Sequence, residues 1–258
     1  MLLEGKSVVI TGAGSGVGRA ASLLFAQHGA RLVCVDINME WAEETARQVR
    51  EAGGMAEALR CDVRVYDEVA GAIDRAVAAY GRLDVMYNNA GVATATDGRP
   101  HRLIDQDDGD FERLVSINFR GVVYGCQAAV RTFLKQGGGG VIVNTASVAG
   151  MIGWGGVMYG ATKGAVIQLT RGLAIEVASH GIRVNSVCPA GMVTNFGRDD
   201  GQGFEADDDK VAAYAAQHPL GRVIEPVDCA NAALFLASDL SRNVTGVLLP
   251  VDGGKIAG

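Results

Sequence analysis

The sequence predicts an α/β fold, a doubly wound domain built on a parallel seven-stranded sheet. Short apolar runs alternate with segments of helical period along all 258 residues. A cluster of glycines stands between the first run and the first helix, and no proline-rich linker divides the chain. Strands separated by helices cannot close as hairpins, so the strands run parallel with right-handed crossovers.

Lys6–Thr11 is a short apolar run that ends in glycines, which predicts a buried strand. Gly16–His28 follows with helical spacing through Val17, Ala20, Ala21, Leu24 and Phe25, closed by Gly29. Arg31–Asp36 is the second strand, and Glu40–Ala52 a helix stopped by Gly53 and Gly54. Ala56–Asp62 is a weaker third strand, interrupted by Arg60; the next helix presents Val69, Ala72 or Ile73, Ala76 and Tyr80 on one face. Leu83–Tyr87, Val141–Thr145, Arg183–Cys188 and Val247–Val251 complete the strands. Long helices are expected over Phe111–Lys135 and Met158–Ser179, with a shorter one over Val227–Ser238.

With 48% hydrophobic residues the chain is rich enough for a core, which excludes intrinsic disorder. Glycine is about twice its average usage but has no three-residue period, so collagen is excluded. A net charge of −6 and a pI near 5.2 argue against a nucleic-acid binder. Cys34, Cys61, Cys126, Cys188 and Cys229 are scattered and lack a C-x-x-C pair, which points to reduced thiols in a cytoplasmic protein and to no metal site. Met1–Lys6 is too short for a signal peptide. Gln136–Thr162 carries no charge, yet its glycines and its Asn144, Thr145, Ser147 and Tyr159 suit a strand and a buried loop better than a membrane span.

The turn Thr11–Gly18 leaves backbone N–H groups at a helix N-terminus, where a pyrophosphate can meet both the amides and the helix dipole. Gly12, Gly16 and Gly18 follow G-x-x-x-G-x-G rather than the commoner G-x-G-x-x-G, with Ser15 and Val17 between them. Asp36 closes the second strand, where a carboxylate accepts bonds from the adenosine ribose hydroxyls and repels a 2′-phosphate. Ile37 and Asn38 supply no cation, so NAD is expected over NADP.

Together these features resemble the short-chain dehydrogenase/reductase family. The resemblance rests on the glycine turn with Thr11, Asp62-Val63, Asn88-Asn89-Ala90-Gly91, Tyr159-Gly160-Ala161-Thr162-Lys163 and Val251-Asp252-Gly253-Gly254, joined by Asn118, Ser147 and Pro189, and it covers about residues 4–256. It implies a Rossmann fold and a catalytic tetrad of Asn118, Ser147, Tyr159 and Lys163. It further implies cofactor contacts from Asp62, Val63, Asn89, Ala90, Gly91, Met192 and Thr194, with Lys163 on the nicotinamide ribose and Asn118 holding a proton-relaying water. The chemistry is self-consistent. Oxidising an alcohol requires a base, and a free phenol at about pKa 10 is a poor one; Lys163, spaced i+4 from Tyr159, and the positively charged nicotinamide ring are together expected to lower it. Two departures stand out: Ser147 and Tyr159 lie one residue closer than the family's commonest spacing, and Ala190 replaces the usual glycine after Pro189. The first needs slack in Gly153–Gly156, and the second needs a negative φ at Ala190.

Val92–Asp110, Val148–Met158 and Asn195–Leu220 are the expected substrate loops, the last as a mobile lid over 195–220. Two placements compete for Met151, Trp154 and Met158: a pocket wall, or packing of the loop on its own domain. The acidic run Asp199, Asp200, Glu205, Asp207, Asp208, Asp209 disfavours anionic substrates, which leaves a neutral, plausibly cyclic, secondary alcohol or ketone. The alternatives are a reductase of carbonyls or 3-oxoacyl thioesters, normally NADPH-dependent, and a non-catalytic NAD sensor. Val122, Cys126, Val130 and Phe133 on one long helix and Val166, Leu169, Leu173 and Val177 on the other extend beyond a simple core stripe. With the resemblance, they lead us to expect a homotetramer.

Overall fold

The computed structural model describes residues 1–94, 102–192, 194, 196 and 208–257. The strands are β1 (Ser7–Thr11), β2 (Arg31–Asp36), β3 (Met55–Arg60), β4 (Val85–Asn88), β5 (Gly140–Thr145), β6 (Ile182–Pro189) and β7 (Leu248–Val251). The helices are α1 (Gly16–Gln27), α2 (Met39–Glu51), α3 (Tyr66–Tyr80), α4 (Asp108–Val115), α5 (Gly121–Gln136), α6 (Val157–Val177), α7 (Asp208–Ala215) and α8 (Pro226–Ala237). The seven strands form one sheet in the order β3-β2-β1-β4-β5-β6-β7, and every pairing is parallel.

Strand alternation divides the core into two layers. Val8 and Ile10 of β1 join Phe25 of α1, Val49 of α2 and Leu234 of α8. Val9, between them, faces the other way and joins Ile73 of α3, Phe133 of α5 and Val166 of α6. A sheet covered on both faces needs strands that are apolar throughout, which is why β1 reads as an unbroken run. The order reverses between β1 and β4, so a crevice opens beyond the C-terminal ends of those strands.

Several boundaries differ from the sequence expectation for identifiable reasons. The third strand ends at Arg60 instead of Asp62, because the Asp62 N–H donates to the Glu68 carboxylate at 2.8 Å and turns the chain into α3. The expected helix Phe111–Lys135 starts earlier, where Asp107 and Asp110 form a capping box. Its course is broken by a π-helical segment, Ser116–Arg120, which joins α4 to α5. The second long helix ends at Val177, and a 3₁₀ turn, Ala178–His180, completes it. Helix α7 was not expected; it lies within the proposed lid, of which residues 195 and 197–207 fall outside the described residues.

The apolar residues read as surplus on the two long helices divide. Val122, Cys126, Phe133, Val166 and Val177 are buried in this chain's own core. That corrects their assignment to a partner-facing stripe, because α5 also packs against α3, and α5 and α6 against each other, as well as on the sheet. Val130, Leu169 and Leu173 are only half-buried, on the rim of that core.

The uncharged Gln136–Thr162 stretch resolves into β5, a 3₁₀ turn and the start of α6. Among the described residues no helix is long and apolar enough to cross a membrane, and no group of His, Cys, Asp and Glu is arranged to hold a metal. All five cysteines are buried and unpaired.

Candidate active site

A cavity of about 490 Å³ runs along the crevice, from Asp36, Ile37 and Trp41 at one end to Ser147, Tyr159 and Tyr214 at the other. Its floor is the turn after β1. Gly12 and Gly16 adopt φ of 63° and 49°, a region that favours glycine. A Cβ on Gly18 would lie 2.0 Å from the Gly12 carbonyl oxygen, so the turn closes only without a side chain there. Ser15 precedes α1 in extended conformation and makes no side-chain cap, leaving the first amides of the helix to the cavity. Nothing fills the space beside the Gly16 Cα. Open amides, a helix dipole and room above Gly16 fit a pyrophosphate.

Thr11 and Asn89 hold this turn against β4. The Thr11 hydroxyl accepts the N–H groups of Asn89 and Ala90 at 3.0 Å each, and the Asn89 side-chain amide donates to the Thr11 carbonyl at 3.1 Å. At the far end of β2, Asp36 accepts the Gly14 N–H at 2.9 Å and the Asn38 N–H at 3.0 Å. Its carboxylate is therefore fixed, with lone pairs left for a ligand. Asp62 and Val63 line the same end, together with three residues missed in the sequence: Trp41, Cys61 and Arg64. Arg64 is not a free cation, since its guanidinium grips Asp62 through bonds of 2.6 to 3.0 Å. That guanidinium holds the Asp62 carboxyl below the usual carboxylate range.

At the other end the four residues of the expected tetrad come together from three elements: the turn after β5, α6 and the π segment. Ser147 opens a 3₁₀ turn after β5; its hydroxyl donates to the Pro189 carbonyl and accepts the Ala149 N–H, both at 3.1 Å. Tyr159 stands in the first turn of α6, and Lys163 is one turn further on, 2% exposed. The Lys163 ammonium donates to the Thr145 carbonyl at 2.8 Å and lies 5.7 Å from the centre of the Tyr159 ring. Asn118, fully buried in the π segment, bonds Val92 from both ends of its amide, at 2.7 and 2.8 Å. Its Oδ1 and the Lys163 Nζ would lie 3.2 and 3.4 Å from a Cβ on Gly91, so a side chain there would crowd both.

Of the two cations expected to lower the Tyr159 pKa, Lys163 by itself does not do so. Desolvation pushes the phenol up to about 12, with Ser147 pulling it back. Lys163 spends a donor on Thr145, and desolvation pushes its ammonium down to about 8.

The two departures are accommodated. Gly155 and Gly156 take φ of 81° and 94°, which shortens the path from Ser147 to Tyr159. Among the described residues none but glycine has a positive φ, so Ala190 is unstrained. Met192 pairs with Ile224 in an isolated parallel bridge, and Thr194 accepts the Phe196 N–H at 3.2 Å; both line the cavity.

Of the loop residues proposed as a pocket wall, Trp154 lines the cavity and also packs on the core; Met151 and Met158 do not line it. The 3₁₀ turn Val148–Gly150 turns the chain so that Met151 is exposed. The remaining wall comes from Ile117, Phe196 and Tyr214, which the sequence analysis had not singled out. Phe196 sets its ring edge-on to Tyr159, 5.9 Å between centres. Residues 95–101 of the first substrate loop lie outside the described residues.

Residues 12–255 match a family model described as enoyl-(acyl carrier protein) reductase. The chain is 37% identical to 3beta-hydroxysteroid dehydrogenase 2 of Eggerthella lenta, covering 98% of this chain and 95% of that one. It is 39% identical to secoisolariciresinol dehydrogenase of Forsythia intermedia, over 98% and 89% of the two chains. Its fold superposes on a short-chain type dehydrogenase/reductase from Mycobacterium marinum with a TM-score of 0.87 and 32% identity, covering 99% and 97%. A glycine turn under open amides, a seven-stranded parallel sheet and full-length relatives all agree: the chain belongs to the short-chain dehydrogenase/reductase family of nicotinamide-dependent oxidoreductases.

Proposed function

We propose that this protein is an NAD-dependent dehydrogenase that moves a hydride between a neutral, ring-bearing secondary alcohol or its ketone and the nicotinamide, with Tyr159 as general base and acid. One observation carries the proposal. A single cavity joins the open α1 amides and Asp36 to Ser147, Tyr159 and Lys163. When bound there, the nicotinamide dinucleotide supplies the hydride acceptor and a cationic ring, a charge that would work against the desolvation now raising the phenol.

The chain's own residues then divide the work. Asp36 holds the adenosine ribose and disfavours a 2′-phosphate, and Arg64 offers no replacement cation while it is bound to Asp62. Lys163 keeps two N–H donors beyond its bond to Thr145, enough for the nicotinamide ribose hydroxyls. The Ser147 hydroxyl turns from the Pro189 carbonyl toward the substrate oxygen and holds it beside Tyr159. Tyr159 takes the hydroxyl proton in oxidation and returns it in reduction. Asn118, across Gly91 from Lys163, is placed to pass that proton onward through water.

At the substrate end Trp154, Phe196 and Tyr214 present aromatic surface, and the charged side chains in the cavity wall other than Lys163 belong to the adenosine end. That favours neutral rings. The hydroxysteroid named for one relative is consistent with such a substrate. Asp36 argues against an NADPH-dependent thioester reductase. We further propose a homotetramer joined along the outer flanks of α5 and α6, where Val130, Leu134, Leu169 and Leu173 remain partly exposed.

The test follows a panel of alcohols and ketones at 340 nm with both cofactors, in the native protein and in Tyr159→Phe. Turnover should fall by a factor on the order of 10³ while NAD binding, measured by calorimetry, persists. A Phe variant with near-native turnover would move the base elsewhere.

A further inference from the structure

The C-terminal tail reaches the substrate wall. Asp252, 8% exposed, organises the turn after β7: its carboxylate accepts the N–H groups of Gly254 at 3.0 Å and Ile256 at 2.9 Å, and its carbonyl accepts that of Lys255 at 3.1 Å. The turn is also joined to the segment after α7. The Leu220 N–H donates to the Gly253 carbonyl at 3.0 Å, and a Cβ on Gly253 would meet the buried His218 side chain at 2.8 Å. Lys255 is therefore delivered from a fixed backbone. Its ammonium stands 3.8 Å from the centre of the Trp154 ring and donates to the Gln217 side-chain carbonyl at 3.2 Å.

One face of the indole is thus covered by a cation, while the residue lines the cavity. The far edge of the indole and the Tyr214 ring converge on Gly191: a Cβ there would lie 3.3 Å from Trp154 Cη2 and 3.0 Å from Tyr214 Cε1. We propose that Lys255 is a positioning residue for substrate specificity. Seated over Trp154 and anchored on Gln217, it holds the indole against Tyr214 as a rigid wall for a ring-bearing alcohol. An ammonium over one face of a π-system and a bond to the neighbouring segment together fix a ring that would otherwise rotate about two side-chain torsions. A small aliphatic alcohol does not reach this wall and gains nothing from it.

The proposal rests on the assigned reaction, so its test has one arm that does not. Trp41 and Trp154 are the only tryptophans. In a Trp41→Phe background, emission and acrylamide quenching report on Trp154 alone. Lys255→Ala and Lys255→Met should shift the emission and raise the quenching constant, and Lys255→Arg should restore both. In proteins that retain Trp41, the alanine variant should raise KM for 1-indanol about tenfold with kcat changed less than about twofold, and leave KM for 2-butanol nearly unchanged. Arginine should recover most of the loss. Trp154 emission and quenching unchanged by Lys255→Ala would overturn the proposal, as would equal KM changes for both alcohols. If the native protein oxidises neither alcohol, the assigned reaction fails instead, and the fluorescence alone decides the role of Lys255.

Discussion

The proposed preference for NAD rests on one carboxylate, and its replacement can be worked through. Asp36 is held by two backbone N–H groups, from Gly14 and Asn38, so its free lone pairs face the cavity. Hydrogen bonds to a charged acceptor contribute about 1.5–3 kcal/mol each, less at a half-exposed site where water replaces them. Removing two ribose contacts in Asp36→Ala should therefore cost NAD about 2–3 kcal/mol. Two unit charges 4 Å apart repel by about 4 kcal/mol at an effective dielectric of 20, and solvent screening at the cavity mouth reduces that to about half. Ile37, 54% exposed, can accept arginine without disturbing the core, adding a charge-assisted contact to a 2′-phosphate. The combined change is about 4–5 kcal/mol, so Asp36→Ala with Ile37→Arg should shift the NAD/NADP ratio of kcat/KM by a factor on the order of 10³. Asparagine is a poorer probe, because its amide nitrogen would face one of two N–H donors. The assay is kcat/KM for both cofactors at fixed ionic strength, with the thermal midpoint alongside because Asp36 also holds the Gly14 turn. A shift below tenfold in a variant that melts like the native protein would refute the assignment, as would native preference for NADP.

Two further outcomes are expected. Burial raises the Tyr159 phenol and the bound nicotinamide charge would work against it, so the proton stays on at neutral pH: ketone reduction should be flat there and alcohol oxidation should climb with pH as the phenol ionises. The climb should be coupled to Lys163, whose ammonium desolvation pushes down to about 8; a pH-independent oxidation rate would count against Tyr159 as the base. For assembly, Leu134→Glu is a cleaner probe than Leu169→Glu, because Leu134 is 49% exposed whereas Leu169 packs on its own core. It should dissociate the proposed tetramer while leaving the subunit folded, and light scattering of a native protein that is already a 27 kDa monomer would refute the assembly.

What was readable in the sequence follows from the range of the interactions involved. The apolar run of β1, the glycine turn and the i, i+4 pair Tyr159–Lys163 are local patterns with one physical cause each. The π segment is not: a single extra residue in a turn leaves the apolar spacing of α4 and α5 nearly intact, so Ile117 and Asn118 gave no sign of their altered aim. Helix α7 begins with Asp208 and Asp209 and continues with alanines, a composition as suited to a solvated loop as to a helix. Trp41, Arg64 and Tyr214 reach the cavity from separate elements, and only the assembled sheet brings them there. The direction in which Lys163 alone moves the phenol was hidden for a related reason. Spacing places Lys163 near Tyr159, but the donor bond to Thr145 decides where the charge points.

Behind the reacting groups the sheet carries a polar brace that explains how they hold their places. The Asn88 Nδ2 donates to the side-chain Oδ1 of Asn144 at 2.9 Å, and the Asn144 Nδ2 donates in turn to the Thr170 hydroxyl at 3.0 Å. All three are buried, so each bond lost would leave an unpaired polar group, at a cost of about 1–3 kcal/mol. The brace thereby ties β4, β5 and α6 together beside Thr145, whose carbonyl accepts the Lys163 ammonium, and about two turns along α6 from Lys163. Gly125 of α5 completes it, since a Cβ there would fall 1.8 Å from the Asn88 side-chain oxygen. The substrate end is built differently, from a glycine-rich loop, a short helix and a lysine laid over an indole. In the proposed reaction, rigid support beneath the proton-transfer groups and a wall assembled from separate chain segments would let the same chemistry serve whichever ring the wall admits.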